Sequence, residues 1–188
     1  DLALRHRIGV HIHVAESLDD LAAGARLANL AKDDWLLIHA VHLDRHLAGR
    51  IVHNPRSNMN NQVGYGTPTS HPNKVLLGTD GMGADMLEEL RLAYVRLREF
   101  DLAATPDTAM SWLNNSQELF PEARSDQVTW NYDHVDSAWH VAFTPGIRAL
   151  DVHVDGEKVL SNGLPTRVDI HEIRAKAGEQ ARRLHARL

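Results

Sequence analysis

Four residues with side chains that bind metals or move protons lie at or just beyond the ends of short apolar runs: His13, Glu16, His39 and Asp80. Glu16 follows His13 by three residues, a spacing that suits a proton acceptor beside a metal-activated water. A carboxylate such as Asp80 at the end of a buried run needs either a metal or a hydrogen-bonded loop as its partner. Each motif alone also fits a strand-end residue satisfied by ordinary hydrogen bonds, so their order along the chain carries the argument.

A polar turn at residues 53–61 is rich in hydrogen-bond donors and acceptors. It follows a third apolar run, which places it at the same end of the fold as the four residues above. Two interpretations remain open for this turn, a substrate-binding wall or a loop shaped by its own asparagine side chains. The candidate substrate-binding residues are His53, Asn54, Ser57 and Asn58.

The apolar runs that position these residues are short and nearly continuous. Such runs are typical of parallel strands buried on both faces. Chemistry at the carboxyl ends of successive parallel strands is the arrangement of a (β/α)8 barrel. The sequence therefore predicts an α/β fold in which the strands arise from residues 8–14, 35–39, 50–55 and 74–80.

Helices are predicted after the fourth strand. Between residues 83 and 100, apolar side chains recur at helical spacing, and Thr105-Pro106 marks the start of a second helix. A final helix begins near Asp169 and is expected to turn an apolar face inward. The residues of that face are Ile170, Ile173, Ala177, Leu184 and Leu188.

A small antiparallel β unit is predicted before the last helix. Residues 153–160 read as a hairpin with an Asp155-Gly156 turn, and residues 138–144 and 149–154 are expected to add strands. The predicted domains are thus residues 1–122, the barrel segment, and residues 123–188, a β-domain segment with the terminal helix.

The connections between the predicted strands are short. A parallel crossover needs about a dozen residues, usually including a helix. The second connection is shorter than that, and the third shows no helical period. Either residues are missing from the chain, which we favour, or these strands pair in a different order. A first residue of aspartate rather than methionine also suggests a fragment.

Composition excludes several classes of protein. The net charge is −5 without a block of like charges, so neither a nucleic-acid partner nor a membrane-surface partner is indicated. No apolar run approaches the length of a membrane span, and no signal peptide is recognised. The absence of cysteine removes disulfides and thiolate ligands, whereas 13 histidines leave ample imidazole ligands. We predict a cytoplasmic protein, with a homodimer as an open alternative.

The motif series resembles the amidohydrolase superfamily, in particular its cytosine-deaminase-like and chlorohydrolase-like (ATZ/TRZ) branch. The segments that carry the resemblance are HIHVAES at 11–17, LIHAVHL at 37–43, VHNPRSNMNN at 52–61 and LGTDG at 77–81. The run SNMNN with GTDGMGADMLEE is most similar to the aminohydrolases called SsnA. The resemblance implies the C-terminal half of a TIM-type metal-dependent hydrolase barrel, followed by a composite β-domain and a closing helix.

The resemblance also implies roles for the four residues. His13 and Asp80 become metal ligands, with zinc as the expected metal and iron as the alternative. Glu16 becomes the proton shuttle, His39 the residue that polarises substrate or water, and Asp80 also a base. The implied reaction is attack of metal-bound hydroxide on a ring carbon of a purine, pterin or pyrimidine, with loss of ammonia.

Part of the family pattern is absent. The His-x-His of the first barrel strand, which supplies two metal ligands, does not precede the fifth-strand motif in this chain. A zinc held by His13 and Asp80 alone falls short of the three protein ligands usual in a catalytic site. The chain by itself is therefore expected to be inactive.

Two alternatives stay open beside the deaminase. One is a hydrolase that acts on a cyclic amide or a C–Cl bond. The other is a non-catalytic remnant, which the short connections and the missing His-x-His would explain. The preservation of His13, Glu16, His39 and Asp80 together favours the enzyme.

Overall fold

The computed structural model describes residues 2–188, which form two compact units. The first unit comprises the chain up to Phe120 together with Asp136–Thr144. The second comprises Pro121–Val135 and Pro145–Leu188. The chain therefore leaves the first unit near the predicted boundary but returns to it once.

The first unit is built on four parallel strands that lie side by side in chain order. This confirms the four predicted strands and their parallel pairing. Within the described residues the sheet is open, with the first and fourth strands at its edges. The strands are β1 (His11–Val14), β2 (Leu36–His39), β3 (Arg50–His53) and β4 (Val75–Leu77).

The connections are as short as the sequence indicates, yet the strands pair in the expected order. The β2–β3 connection contains no helix and is held by the buried side chains of Leu43 and Leu47. The β3–β4 connection contains one short α-helix, Pro55–Asn60, and a 3-10 turn at Pro68–Ser70. The alternative in which these strands pair differently is wrong.

Six helices accompany the sheet among the described residues of the first unit. The stripe predicted between residues 83 and 100 is confirmed, because Leu87, Leu90, Tyr94 and Leu97 are all buried. Thr105 precedes the next helix as its N-cap, with Pro106 at the first position. The helices are α1 (Leu2–His6), α2 (Ala23–Leu27), α3 (Pro55–Asn60), α4 (Met86–Phe100), α5 (Pro106–Gln117) and α6 (Ala138–Phe143).

The two faces of the sheet carry separate cores. Val14, Leu37 and Ile51 pack on one face with residues of the connecting loops. Leu36, Val52 and Leu76 pack together on the other face, which we call the inner face. Because side chains alternate along a strand, every second strand residue faces each way.

The outer edge of β4 is bonded to side chains of α5. Asn115 Nδ2 donates to the carbonyl oxygen of Val75 at 2.8 Å. Ser116 Oγ accepts from Leu77 N at 2.8 Å and donates to Leu77 O at 2.9 Å. These bonds satisfy backbone groups that a further strand would otherwise pair with, which protects the edge.

The second unit is a four-stranded antiparallel sheet followed by a helix. The predicted hairpin is confirmed, and Asp155 and Gly156 both have positive φ, as a type I′ turn requires. The elements are β5 (Gln127–Trp130), β6 (Ala149–Val154), β7 (Glu157–Ser161), β8 (Leu164–Pro165) and α7 (Ile170–His185).

Two expectations about this region are wrong. Residues 138–144 do not form a strand, since Ala138–Phe143 is helix α6, which Ser137 caps through its side chain, and it belongs to the first unit. The terminal helix begins as predicted, with Asp169 accepting bonds from the backbone N–H groups of His171 and Glu172. None of its residues is buried, however, so its apolar face does not turn into a core.

No helix within residues 2–188 combines the length and apolar character needed to cross a membrane.

Candidate active site

A cleft on the inner face gathers side chains from the ends of all four strands. His11 and His13 reach it from β1, and Asn54 and Asp80 reach it from the residues after β3 and β4. The parallel register explains this, because His13 lies opposite Ile38 and Val14 opposite His39. The carboxyl ends of the strands are therefore level, as the sequence predicts.

His39 lies at the centre of the candidate site and is almost fully buried. Its Nε2 atom is 3.6 Å from Glu16 Oε2 and 3.7 Å from Asp80 Oδ2. Its ring centroid is 5.2 Å from that of His13. All four predicted catalytic and metal-binding residues thus come together, although Asp80 follows His13 by 67 positions in the chain.

Hydrogen bonds from neighbouring groups hold the two carboxylates. Ser57 Oγ donates to Asp80 Oδ2 at 2.5 Å and the backbone N–H of Gly81 donates to Asp80 Oδ1 at 2.6 Å. Of these, the Ser57 bond lowers the pKa of Asp80 most, so Asp80 is ionised near neutral pH. Asn61 Nδ2 donates to Glu16 Oε1 at 3.1 Å, a contact that the sequence did not indicate.

The backbone is strained where the strands end. Ala15, His39, Ala40 and Asp80 all have positive φ, between 46° and 68°, although none is glycine. Each such residue costs about 1–3 kcal/mol, and strain of this kind clusters at functional sites. These turns bring the side chains of His39 and Asp80 towards each other, with His39 Nε2 3.7 Å from Asp80 Oδ2.

A glycine leaves room for Asn54 in this site. A Cβ atom at Gly78 would lie 2.3 Å from Asn54 Oδ1 and 2.9 Å from Val52 Cγ1. Both contacts are shorter than packed atoms allow, so a side chain at this position would push Asn54 aside. Asn54 lines the cleft and is the predicted substrate-binding residue that the structure places there.

The other predicted substrate-binding residues lie outside the cleft lining. Ser57 holds Asp80, and Asn58 holds His39 through a bond of 2.7 Å between Asn58 Oδ1 and His39 Nδ1. His53 is buried between Tyr65 and Trp112, with its ring edge-on to both. His53 shares its strand face with Ile51, so the alternation along β3 turns it away from the inner face.

His53 makes the fold sensitive to acid. Burial lowers the pKa of His53 to about 3, helped by the nearby His39 and Arg96, and neither ring nitrogen has a hydrogen-bond partner. Its pKa in the unfolded chain is about 6.5, so between these values only the unfolded state binds the proton. The contribution of neutral His53 to the unfolding free energy is therefore complete above pH ~6.5 and is lost as the pH drops towards 3.

Replacing His53 by phenylalanine should remove most of this acid sensitivity. Between pH 6 and pH 4, the wild type should lose roughly 2–3 kcal/mol more unfolding free energy than His53→Phe. Urea unfolding of both proteins at the two pH values measures this difference. A packing effect of the substitution that does not depend on pH cancels, because each protein is compared with itself. His185→Phe, at an exposed position, should keep the wild-type dependence. Equal losses in wild type and His53→Phe would contradict the assignment.

The residues present do not make a complete zinc site. An imidazole nitrogen of His13 and a carboxylate oxygen of Asp80 are donors that suit zinc, and both residues line the cleft. Nevertheless, no group of three or more histidine, aspartate and glutamate side chains within residues 2–188 is arranged to hold a metal. Since a catalytic zinc is usually held by three protein ligands, these residues supply at most part of a metal shell.

Comparison with solved structures identifies the fold. No family model matches the sequence. An adenosine deaminase from Xanthomonas campestris with bound zinc superposes with a TM-score of 0.80 at 19% identity, over 98% of this chain and 53% of that one. An amidohydrolase from Brucella melitensis gives 0.70 at 20% identity, over 92% and 48%.

A third structure is the atrazine chlorohydrolase TrzN from Arthrobacter aurescens TC1 complexed with zinc. It gives a TM-score of 0.69 at 21% identity, over 95% of this chain and 49% of that one. The chain therefore spans about half the length of the structures it matches. Its fold is that of one part of these amidohydrolase-type enzymes, and the barrel is not closed within the described residues.

Proposed function

We propose that this chain carries the proton-transfer half of the active site of a hydrolytic deaminase. The observation that carries the proposal is the convergence of Glu16 and Asp80 on one buried imidazole, with both carboxylates less than 4 Å from His39 Nε2. Two carboxylates around a histidine form a set of groups that can accept a proton and return it elsewhere. The likeness of fold to an adenosine deaminase supports the same class of reaction.

The three groups divide the work of deamination. Replacing an amino group by oxygen requires that water lose a proton and that the departing nitrogen gain one. Asp80, held ionised by its hydrogen bonds, is placed to accept the first proton. Glu16 is held by Asn61 and is partly exposed, so its carboxyl form can deliver a proton to the nitrogen as ammonia forms, and the proton that Asp80 received then restores it. His39 Nε2 lies between them and steadies the charge that develops.

The proposed substrate is an amino-substituted nitrogen heterocycle such as a purine, pterin or pyrimidine. The similarity of SNMNN and GTDGMGADMLEE to SsnA-type aminohydrolases supports this class of substrate. Asn54 lines the cleft with its amide held against Gly78, and can meet the polar edge of such a ring.

A divalent metal, zinc first and iron as the alternative, belongs to this proposal because relatives in fold were crystallised with zinc. When bound, such a metal lowers the pKa of water from about 15.7 towards 7. His13 and Asp80 would contribute to holding it. The remaining ligands must come from beyond the groups described above, so the catalytic unit is larger than this set of residues.

Hydrolytic dechlorination is the second candidate, and the likeness of fold to the atrazine chlorohydrolase favours it. The arrangement around Glu16 speaks for deamination, because ammonia departs only after it is protonated whereas chloride needs no proton. A cyclic-amide hydrolase remains the third enzymatic alternative.

The direct test is a product assay on the full-length protein loaded with zinc or with iron. Ammonia release is measured with aminopurines, aminopterins and aminopyrimidines, and chloride release with chlorinated triazines. We expect ammonia from at least one class and none after metal removal by a chelator. Chloride release alone would replace the deaminase by the dechlorinating hydrolase. Silence across the whole panel in a protein of verified metal content would favour the non-catalytic alternative.

A further inference from the structure

We infer that Asn58 is a positioning residue that fixes the hydrogen of His39 on Nδ1 and so orients Nε2 towards Glu16 and Asp80. In the sequence, Asn58 is a candidate substrate-binding residue of a polar turn. The structure gives it a different partner, because its Oδ1 atom lies 2.7 Å from His39 Nδ1. An amide oxygen only accepts hydrogen bonds, so this bond requires a hydrogen on Nδ1.

The contact is protected from water and has no close competitor. Asn58 and His39 are each 2% exposed, so solvent does not replace either partner. The other group near His39 Nδ1 is Asn54 Nδ2, at 3.5 Å, the outer limit of a hydrogen bond. The bond to Asn58 is shorter by 0.8 Å and therefore decides which nitrogen carries the hydrogen.

The backbone holds Asn58 in this position. Asn58 lies in the short helix α3, directly after β3, and its own N–H donates to the carbonyl oxygen of Asn54 at 2.9 Å. The preceding residue, Ser57, is bonded to Asp80. One turn of helix thus sets the orientation of both His39 and Asp80, which explains why two adjacent polar residues are buried there.

The other nitrogen of the His39 ring, Nε2, faces the two carboxylates of the site. Nε2 lies 3.6 Å from Glu16 and 3.7 Å from Asp80. With the hydrogen held on Nδ1, the neutral ring presents the electron pair of Nε2 on the side of the two carboxylates. The loss of Asn58 would let the neutral ring place its hydrogen on Nε2 instead.

Nitrogen NMR of the metal-free full-length protein tests the assignment without any assay of activity. Spectra of ¹⁵N-histidine-labelled protein are recorded at a pH at which imidazoles are neutral, and the His39 signals are assigned by their loss in His39→Gln. We expect a protonated Nδ1 and an unprotonated Nε2 in the wild type. Asn58→Leu should move hydrogen to Nε2, and Asn58→Asp, which keeps an acceptor oxygen, should restore the wild-type pattern.

Asn60→Leu is the matched control, since Asn60 is exposed on the same helix and should leave the pattern unchanged. A wild-type ring protonated on Nε2, or an unchanged pattern in Asn58→Leu, would overturn the inference. The wild-type spectrum is decisive by itself should the leucine variant fail to fold.

Kinetics give a second readout that rests on the proposed deaminase function. Asn58→Leu should lower kcat about 10- to 100-fold, the usual effect of losing a group that orients a site residue, with KM changed less than about twofold. Asn58→Asp should recover most of kcat. Failure of the deaminase proposal would remove this readout and leave the NMR result intact, so the two failures are distinguishable.

Discussion

Replacing Glu16 by glutamine is expected to lower turnover by about 10²- to 10⁴-fold, the usual contribution of a group that moves a proton in the transition state. Glutamine keeps the size of the side chain and can still contact Asn61, so the shape of the cleft should persist. It has no carboxylate, and it can neither take up a proton near His39 Nε2 nor deliver one to the departing nitrogen. Glu16→Gln therefore removes proton transfer by this side chain and leaves its packing unchanged.

The metal content of the same preparations separates this role from a structural one. Glu16 is proposed as a proton carrier and not as a ligand, so zinc per chain should equal the wild-type value. Glu179→Gln makes the same chemical change on exposed helix α7 and should leave turnover within about twofold. Loss of metal together with activity in Glu16→Gln would show that Glu16 is a ligand and would end the assignment made here.

Replacing Arg56 by methionine is expected to lower the unfolding free energy by about 3–5 kcal/mol at neutral pH, the range for breaking a buried ion pair from one side. Arg56 Nε donates to Glu89 Oε1 at 2.7 Å, and the backbone N–H of Arg56 lies 3.3 Å from Glu89 Oε2. The Glu89 side chain is only 1% exposed, so without Arg56 it becomes a buried charge without a cation. The pair also ties helix α3, which carries Ser57 and Asn58, to helix α4.

The loss of unfolding free energy in Arg56→Met should be smaller at acidic pH. Burial raises the pKa of Glu89 even though Arg56 opposes the shift, and removing Arg56 raises this pKa further. Because the pKa of Glu89 is higher in the folded state, protonated Glu89 contributes fully to the unfolding free energy below its unfolded pKa of about 4.5. This contribution is lost as the pH rises through the folded-state pKa. The difference between wild type and Arg56→Met should thus be larger at pH 7 than at pH 4.

Chemical denaturation of four proteins checks this result. Arg56→Met combined with Glu89→Leu should recover most of the stability, because the buried charge is removed with its partner. Arg183→Met, which breaks an exposed pair with Glu179, should cost less than about 1 kcal/mol. A double variant as unstable as Arg56→Met alone would mean that the arginine acts through packing and not through the charge of Glu89.

The sequence by itself determined the four strands and the two longest helices of the first unit and the identity of the converging residues. Four apolar runs, each short and nearly continuous, predict parallel strands because only strands buried on both faces need such composition. Since parallel strands end at one edge of the sheet, His13, His39 and Asp80 had to lie near one another. The Asp155-Gly156 turn was equally local, because two residues with positive φ specify a tight hairpin.

Other features depend on contacts between distant parts of the chain, which a local pattern does not contain. Residues 138–144 were expected to add a strand to the β unit, but Ser137 caps a helix there, and the buried face of that helix packs in the first unit. The amphipathic pattern of α7 predicted a buried face, but a pattern records which face could pack and not whether a partner lies against it.

The details of the site were likewise decided by tertiary structure. The roles of Ser57, Asn58 and Asn61 follow from where α3 meets the ends of β1, β2 and β4, whereas the sequence indicated only a polar turn in which Ser57 and Asn58 were candidate substrate-binding residues. The positive φ angles at His39 and Asp80 also have no sequence signature, because only packing makes a non-glycine residue accept that strain. The sequence therefore determined which groups meet, and the packed fold decided which atoms face one another.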